Sequence, residues 1–208
     1  AEIRPKLEAA FAGWAGGAVP KKIVAAVEPR VEHVVYVHDR PGALQSTILC
    51  GHAAPPRANP QEIPEQVMNT VLGGQFISRV NMNLREDKHW SYGAGTLFWD
   101  ARGPRPFLGY APVQTDKTKE SVQELLKEMR GIRGDRPVTA DELQAAQSSL
   151  TLSLPGQWET SGAVLGSLAE IVRFGFDDRY YDGYAAKVRG TSLADVGAAA
   201  AVIQPEKL

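Results

Sequence analysis

Residues 72–93 decide how this sequence is interpreted, and they read LGGQFISRVNMNLREDKHWSYG. The pair Gly73-Gly74 ends an apolar run, as glycine commonly does at the end of a helix. A dense polar segment follows, and Tyr92-Gly93 then opens a stretch whose aromatic residues predict a strand. By composition alone, such a charged segment is a solvated connection between a helix and a strand.

Around this stretch the residue pattern predicts two β-hairpins and a helical C-terminal part. The first hairpin pairs residues 31–37, which are β-branched and aromatic, with residues 44–51. The second pairs residues 92–99 with 107–113. Helices are predicted over residues 3–14, 61–72, 76–84, 118–129, 140–152, 158–174 and 193–201. We therefore expect an α+β fold, in which an antiparallel sheet carries helices packed on one face.

Composition excludes several classes of protein. The 208 residues carry a formal net charge of −1, which gives no reason to expect nucleic acid or an anionic membrane as a partner. No apolar run is long enough to span a membrane, and no signal-peptide pattern is present. The only cysteine, Cys50, cannot form an internal disulfide and lies in an apolar run, which predicts a buried thiol.

Residues 1–208 are expected to form a single domain. The chain begins at Ala1 without a methionine and stops in a turn-like stretch at Leu208. We therefore expect a piece of a longer protein. The compartment stays open, because a domain without disulfides fits the bacterial periplasm as well as the cytoplasm.

The sequence contains no recognisable metal-binding motif. Neither His-Glu-x-x-His nor its inversion His-x-x-Glu-His occurs, and a Gly-x-Ser-x-Gly elbow is also absent. The four histidines are His33, His38, His52 and His89. His33 and His38 are five residues apart on a predicted strand, so they point to opposite faces. No metal site is predicted in this chain.

The stretch 72–93 resembles the signature of the pitrilysin/insulinase-type zinc peptidases, which include the mitochondrial processing peptidase. That signature has a Leu-Gly-Gly, a Ser-Arg-Leu-like step, Asn-Leu-Arg-Glu, and a tyrosine followed by glycine seven residues after the arginine. Further segments resemble the family in the same order. They are residues 40–46 (RPGALQS), 115–118 (TDKT), 137–143 (PVTADEL), 154–155 (LP) and 159–160 (ET).

The resemblance implies the non-catalytic, substrate-binding half of a two-lobed enzyme. In that family one lobe carries His-x-x-Glu-His with the zinc, and the opposite lobe supplies an arginine and a tyrosine spaced as Arg85 and Tyr92 are. The helix that would carry the zinc motif corresponds to residues 62–71, which contain no histidine. The implied partners are a homologous zinc-binding lobe, in the same chain or in a separate subunit, and an unfolded or short peptide.

The resemblance also suggests which residues meet the peptide. Arg85 and Tyr92 would act in catalysis, whereas Gly73, Gly74, His89 and Trp90 would contact substrate. Each has a structural alternative. Arg85 could form a surface ion pair with a neighbouring acid, and Tyr92 could be a half-buried strand residue. Gly73-Gly74 could simply end a helix, and His89 and Trp90 could merely cover the loop.

Two other functions remain open from the sequence. Some members of this family serve as scaffold or assembly subunits that have lost peptidase activity. Outside the family, the chain could be a generic α+β binding domain whose polar loop has no special meaning. An exposed apolar face, where a missing lobe would dock, distinguishes both family functions from a generic domain.

Overall fold

The computed structural model describes residues 2–21, 23, 26, 28 and 31–208. Helix α1 spans Ile3–Phe11, and none of its residues is buried. The described residues between α1 and residue 44 form no strand. Gly42 has a positive φ of 80°, and the Ala43 N–H donates to Arg40 O at 3.1 Å, so the predicted turn is present.

The predicted hairpin between residues 31–37 and 44–51 is wrong. Residues 31–37 form no strand, and Val31, Val35 and Val37 are 81–87% exposed. β-Branched residues favour a strand chiefly because that geometry packs their side chains against neighbours. Val31, Val35 and Val37 lack such a packing surface, and the strand that follows them pairs elsewhere.

The sheet contains three antiparallel strands in the order β1-β3-β2. Strand β1 is Gln45–Ala54, β2 is Gly95–Phe98 and β3 is Arg105–Gln114. Strand β3 lies in the centre and pairs with β1 from Gln45↔Gln114 to Ala54↔Arg105. The β2–β3 pairing confirms the second predicted hairpin.

The predicted helices are present with shifted ends. Helices lie at α2 Glu62–Asn69, α3 Arg79–Asn81, α4 Thr118–Arg133, α5 Ala140–Leu152, α6 Leu154–Gln157, α7 Ser161–Phe174, α8 Tyr184–Gly190 and α9 Leu193–Ala199. The predicted capping box of Thr139 with Glu142 opens α5. Two segments, Thr70–Gly74 and Met82–Asp87, are π-helical. The helix predicted over residues 76–84 is present only from Arg79, as α3 followed by the start of the second π-helical segment.

The core lies between one face of the sheet and the helices. Burial alternates strictly along β3, whose Phe107, Ala111 and Val113 are fully buried. The cluster also includes Met68 of α2 and Met129 of α4. On the opposite face of the sheet, side chains are more exposed. The protein therefore has the predicted α+β fold, with helices packed on one face of an antiparallel sheet.

Cys50 of β1 lies beside this core. Its Sγ is 3.7 Å from Gly109 O, and burial raises the pKa of the thiol to about 11. The side chain is only partly buried, but the thiol is inert at neutral pH. None of the helices in the described part of the chain is both long and apolar enough to cross a membrane.

A buried cluster of charges joins α2 to β3. Arg105 Nη2 donates to Glu62 Oε2 at 2.6 Å and to Glu65 Oε2 at 2.7 Å, and its Nη1 donates to Asp100 Oδ1 at 2.8 Å. Arg57 pairs with Glu62 from the other side. The Arg105 side chain is 1% exposed, so these carboxylates neutralise a fully buried cation.

Candidate functional site

Gly73 fixes the start of the candidate site by close packing. A Cβ built on Gly73 would lie 2.3 Å from Thr96 N and 2.9 Å from Gly95 C, both in the backbone of β2. Asn69 strengthens this contact, because Thr96 Oγ1 donates to Asn69 Oδ1 at 2.7 Å. Gly73 therefore lets a helix backbone touch a strand backbone, which is a structural role beyond ending a helix.

The polypeptide between this contact and β2 forms a loop with fixed ends. Asn81, which is 4% exposed, donates from Nδ2 to Phe76 O at 2.7 Å and accepts the Ala94 N–H on Oδ1 at 3.2 Å. Ser91 adds a second attachment, because it bridges to Val113 of β3. We call residues 76–94 the candidate loop, and it contains both Arg85 and Tyr92.

Arg85 lies in the π-helical segment Met82–Asp87 with a side chain that is 40% exposed. Its Nε is 3.2 Å from Glu86 Oε1, which is the surface ion pair that the structural alternative anticipated. Its Cζ also lies 4.6 Å from the centroid of the Phe76 ring. Within the described part of the chain, no hydrogen bond engages Nη1 or Nη2. These two nitrogens can therefore donate to a bound group.

Tyr92 lies between the bridge at Ser91 and the start of β2, and it is 86% exposed. No described residue forms a hydrogen bond with its hydroxyl. The alternative of a half-buried strand residue is therefore wrong for Tyr92. A large aromatic side chain held out into solvent at a strand end can meet a ligand at little cost in desolvation. No hydrogen bond or ion pair joins Tyr92 to Arg85.

His89 and Trp90 separate the two candidate residues and differ in environment. Trp90 is partly buried and packs against the core. Its backbone N–H donates to Leu84 O at 3.0 Å, and its backbone carbonyl accepts from Gln114 N at 2.9 Å. His89 is exposed and has a φ of 57°. Its ring Nδ1 lies 3.0 Å from Arg85 O. Trp90 therefore anchors the loop, whereas His89 occupies a strained turn.

We expect the free energy of unfolding of His89→Gly to be at least that of the parent. That of His89→Val should be about 1–2 kcal/mol lower than that of His89→Gly. Glycine adopts a positive φ without penalty, whereas a β-branched side chain does not. Urea denaturation of both variants measures the difference. Equal stabilities would mean that the loop does not hold residue 89 in the left-handed conformation.

The inward face of α2 is where the resemblance would place a zinc motif, and ion pairs occupy it. Glu62 and Glu65 lie against Arg105, and Gln66 Oε1 accepts from Tyr184 Oη at 2.7 Å. Burial raises the pKa of Glu62 despite the adjacent arginines. Across residues 2–21, 23, 26, 28 and 31–208, no three His, Cys, Asp or Glu side chains are grouped to hold a metal ion. These residues do not fit a zinc site.

Three residues that organise the loop were missed by sequence reasoning. Arg79 makes a two-point contact with Glu142, with Nε–Oε1 and Nη2–Oε2 both at 2.7 Å, so α3 is tied to the start of α5. Burial opposes the charge on Glu142, but the Arg79 and Thr139 hydrogen bonds hold its pKa below the usual value. Asn81 and Phe76 are the other two. Asn81 could have been noticed in the sequence as a polar residue on the side of the predicted helix that faces the core.

Solved structures share this fold. A protease from Helicobacter pylori matches with a TM-score of 0.80 and 17% identity, over 99% of this chain and 50% of that one. A peptidase M16 inactive domain from Pseudomonas fluorescens matches at 0.72 and 18%, over 78% of this chain and 39% of that one. The inactive peptidase domain of a protein classed as a zinc protease from Bordetella parapertussis matches with a TM-score of 0.68 and 19% identity. That match covers 82% of this chain and 93% of the other.

These identities are low, so the structural likeness shows the fold alone. The chain spans half or less of the first two proteins just described. No curated protein matches the sequence at a significant level.

The sequence itself matches one protein family. The peptidase M16 inactive domain family matches residues 1–150 of the 208. The matched stretch contains the candidate loop with Arg85 and Tyr92, and it contains α2 with its buried ion pairs. The resemblance to zinc peptidases of the pitrilysin/insulinase type is thereby confirmed at the level of the family. The chain belongs to the peptidase M16 inactive domain family.

Proposed function

We propose that this chain is the substrate-binding half of a zinc-dependent metalloendopeptidase and that Arg85 and Tyr92 act on the bound peptide. The observation that carries the proposal is the state of these two side chains. Both are accessible on one loop with fixed ends, and their donor groups, Nη1, Nη2 and the phenol, have no hydrogen-bond partner among the described residues. Because the chain belongs to a peptidase family, peptide hydrolysis is the reaction in which these donors would take part.

The two side chains suit the charge that develops during amide hydrolysis. Attack on a peptide carbonyl produces a tetrahedral oxyanion, which is stabilised by donors already in place. A guanidinium and a phenol both carry hydrogens at neutral pH, so each can donate to a substrate carbonyl or to the oxyanion. Because hydrogen bonds strengthen as the oxyanion forms, such donors lower the barrier more than they tighten substrate binding.

The zinc would belong to a partner lobe. In zinc peptidases the metal activates the attacking water, and this chain has no side-chain set that fits a metal among the described residues. The H. pylori protease is about twice the length that this chain covers, which leaves room for a second lobe. We propose that residues 1–208 are one peptidase-like domain and that the zinc lobe lies in the same chain or in a separate subunit.

Exposed apolar surface supports the existence of a partner. Leu165, Leu168 and Val172 lie on the outer side of α7 and are 55–76% exposed, and Leu152 at the end of α5 is 75% exposed. Clusters of this kind on a soluble protein commonly mark surface that another chain or lobe covers. Closure of two lobes around a cavity would admit only unfolded or short peptides and would exclude water from the reaction.

The second candidate function is a catalytically silent scaffold subunit of the same family. The Arg85–Glu86 ion pair favours it, because an arginine that is satisfied by a neighbouring acid needs no substrate. The pair is exposed, however, and such pairs contribute only about 0–1 kcal/mol, so a peptide carbonyl or oxyanion can compete for the guanidinium.

Reconstituted cleavage distinguishes the two. The chain is mixed with the His-x-x-Glu-His lobe encoded with it, and cleavage of an unstructured fluorogenic peptide is followed. The chain alone is expected to be inert and to bind no stoichiometric zinc. In the mixture, Arg85→Ala and Tyr92→Phe are each expected to reduce kcat/KM at least about tenfold, which is about 1.4 kcal/mol of transition-state stabilisation.

Matched controls are Arg179→Ala, whose side chain is 83% exposed, and Tyr110→Phe on β3, which is 41% exposed. Both controls should cleave at the parental rate. If the two lobes associate and the Arg85 and Tyr92 variants also cleave normally, the chain is a scaffold and the proposed roles are wrong.

A further inference from the structure

Phe76 is a large apolar residue that the fold leaves 55% exposed beside Arg85. Its ring centroid is 4.6 Å from Arg85 Cζ, which is within the range of a cation–π contact, and arginine is the cation that most often makes such contacts. The neighbouring Ile77 is exposed to a similar extent, 60%, but has no such contact. The exposure of Phe76 therefore coincides with one specific interaction.

The stack restricts the guanidinium without using its terminal donors. A free arginine side chain has about 2 kcal/mol of rotamer entropy, which is lost when the group is held for a ligand. Phe76 contacts the face of the guanidinium, and Glu86 lies nearest to Nε. The Nη1 and Nη2 edge, which has no hydrogen-bond partner in the described part of the chain, is the edge that can donate to a carbonyl or an oxyanion.

Phe76 is itself held in place through Asn81. The buried Asn81 amide donates to the Phe76 carbonyl at 2.7 Å and accepts the Ala94 N–H at 3.2 Å. Phe76 and Ala94 are the two ends of the candidate loop. One side chain therefore ties the residue that supports Arg85 to the backbone two residues after Tyr92.

We propose that Phe76 is a positioning residue for Arg85 and that Asn81 keeps this support in register with Tyr92. The inference rests on the proposed function, because it concerns how the Arg85 guanidinium is presented to the peptide. Phe76 acts through Arg85 and does not itself touch the reacting atoms.

The test combines a double-mutant cycle with a spectroscopic measurement. In the reconstituted enzyme, Phe76→Leu is expected to reduce kcat/KM about 2- to 5-fold, the loss of an exposed cation–π contact. Phe76→Tyr keeps the aromatic face and should restore the rate, and Ile77→Leu is the matched control with no effect. In the Arg85→Ala background, Phe76→Leu should cause no further loss, because the partner is already gone.

The NMR spectrum of this chain alone gives a readout that does not depend on cleavage. The Arg85 side-chain protons should show a ring-current shift that Phe76→Leu removes and Phe76→Tyr retains. Absence of that shift overturns the inference whatever the kinetics show. The inference is also wrong if the shift is present but the losses caused by Phe76→Leu and Arg85→Ala add in the double variant. If Arg85→Ala cleaves normally, the proposed function is wrong. The Phe76–Arg85 contact then has no role in catalysis, even if the ring-current shift is present.

Discussion

Replacing Arg105 with methionine is expected to lower the free energy of unfolding by about 3–5 kcal/mol. Methionine fills part of the volume but leaves Glu62 and Glu65 without the cation that lies 2.6–2.7 Å from each of them. Both glutamates are nearly fully buried, so water cannot replace the lost hydrogen bonds. Arg57 still neutralises one side of Glu62, but it makes no ion pair with Glu65.

The loss should depend on pH in a defined direction. Burial raises the pKa of Glu62 in the folded chain, and losing Arg105 removes a positive charge that opposes this rise. A carboxyl whose pKa is higher in the folded state takes up a proton on folding. The folded state is therefore favoured as pH falls through that raised value. The deficit of Arg105→Met should be smaller at about pH 5 than at about pH 8.

Denaturant unfolding at both pH values provides the measurement. The control is Arg179→Ala, which removes an exposed ion pair with Asp182 and should change stability by about 0.5 kcal/mol or less. An Arg105 variant no less stable than this control would show that the buried cluster does not hold α2 on β3. A deficit that grows toward low pH would contradict the assignment of buried carboxylates as its cause.

Replacing Gly73 with alanine is expected to destabilise the fold by about 3 kcal/mol, at the upper end of overpacking effects. The added Cβ would lie 2.3 Å from Thr96 N and 2.9 Å from Gly95 C, and backbone atoms cannot move aside as a flexible side chain can. The contact is mutual, because a Cβ on Gly95 would lie 2.5 Å from Gly73 O. Relief requires that β2 moves away from the π-helical segment.

The same change should impair cleavage through Tyr92, because Tyr92 is three residues before the start of β2. Gly166→Ala is the control, since Gly166 lies inside α7 with nothing within 4 Å of its Cβ position. The free energy of unfolding of that control should rise by about 0.5–1 kcal/mol, because alanine favours a helix more than glycine does. Thermal unfolding of both variants measures the contrast. A Gly73→Ala chain as stable as the parent would show that this backbone contact is loose.

Local sequence signals predicted the elements whose partners are near in sequence. The β2–β3 hairpin and the Thr139 capping box are both local, and both are present as predicted. Residues 31–37 failed because their β propensity is local, whereas strand pairing is not. Strand β1 takes its partner from β3, about sixty residues away. Propensity alone does not identify which of two candidate edges a strand will join.

Prediction of the site followed the same division. Arg85 and Tyr92 came from spacing within a family resemblance; both side chains are accessible, and their role in binding stays a prediction. The contacts that support them cross the fold, as in Asn81 to Ala94 and Arg79 to Glu142. The identity of an asparagine or an arginine in the sequence does not tell whether it is buried or which group it contacts. Only the folded chain reveals which polar residues fix the loop.

The outer side of β1 has a consequence for handling the isolated domain. No described strand pairs with that side, although β1 is ten residues long. A strand edge without a pairing partner is a template onto which further strands can add, and residues 31–37 of other molecules are exposed and rich in valine. Concentrated stocks should therefore be prone to fibrillar aggregation, and dilute, freshly prepared protein is the appropriate material for kinetic work.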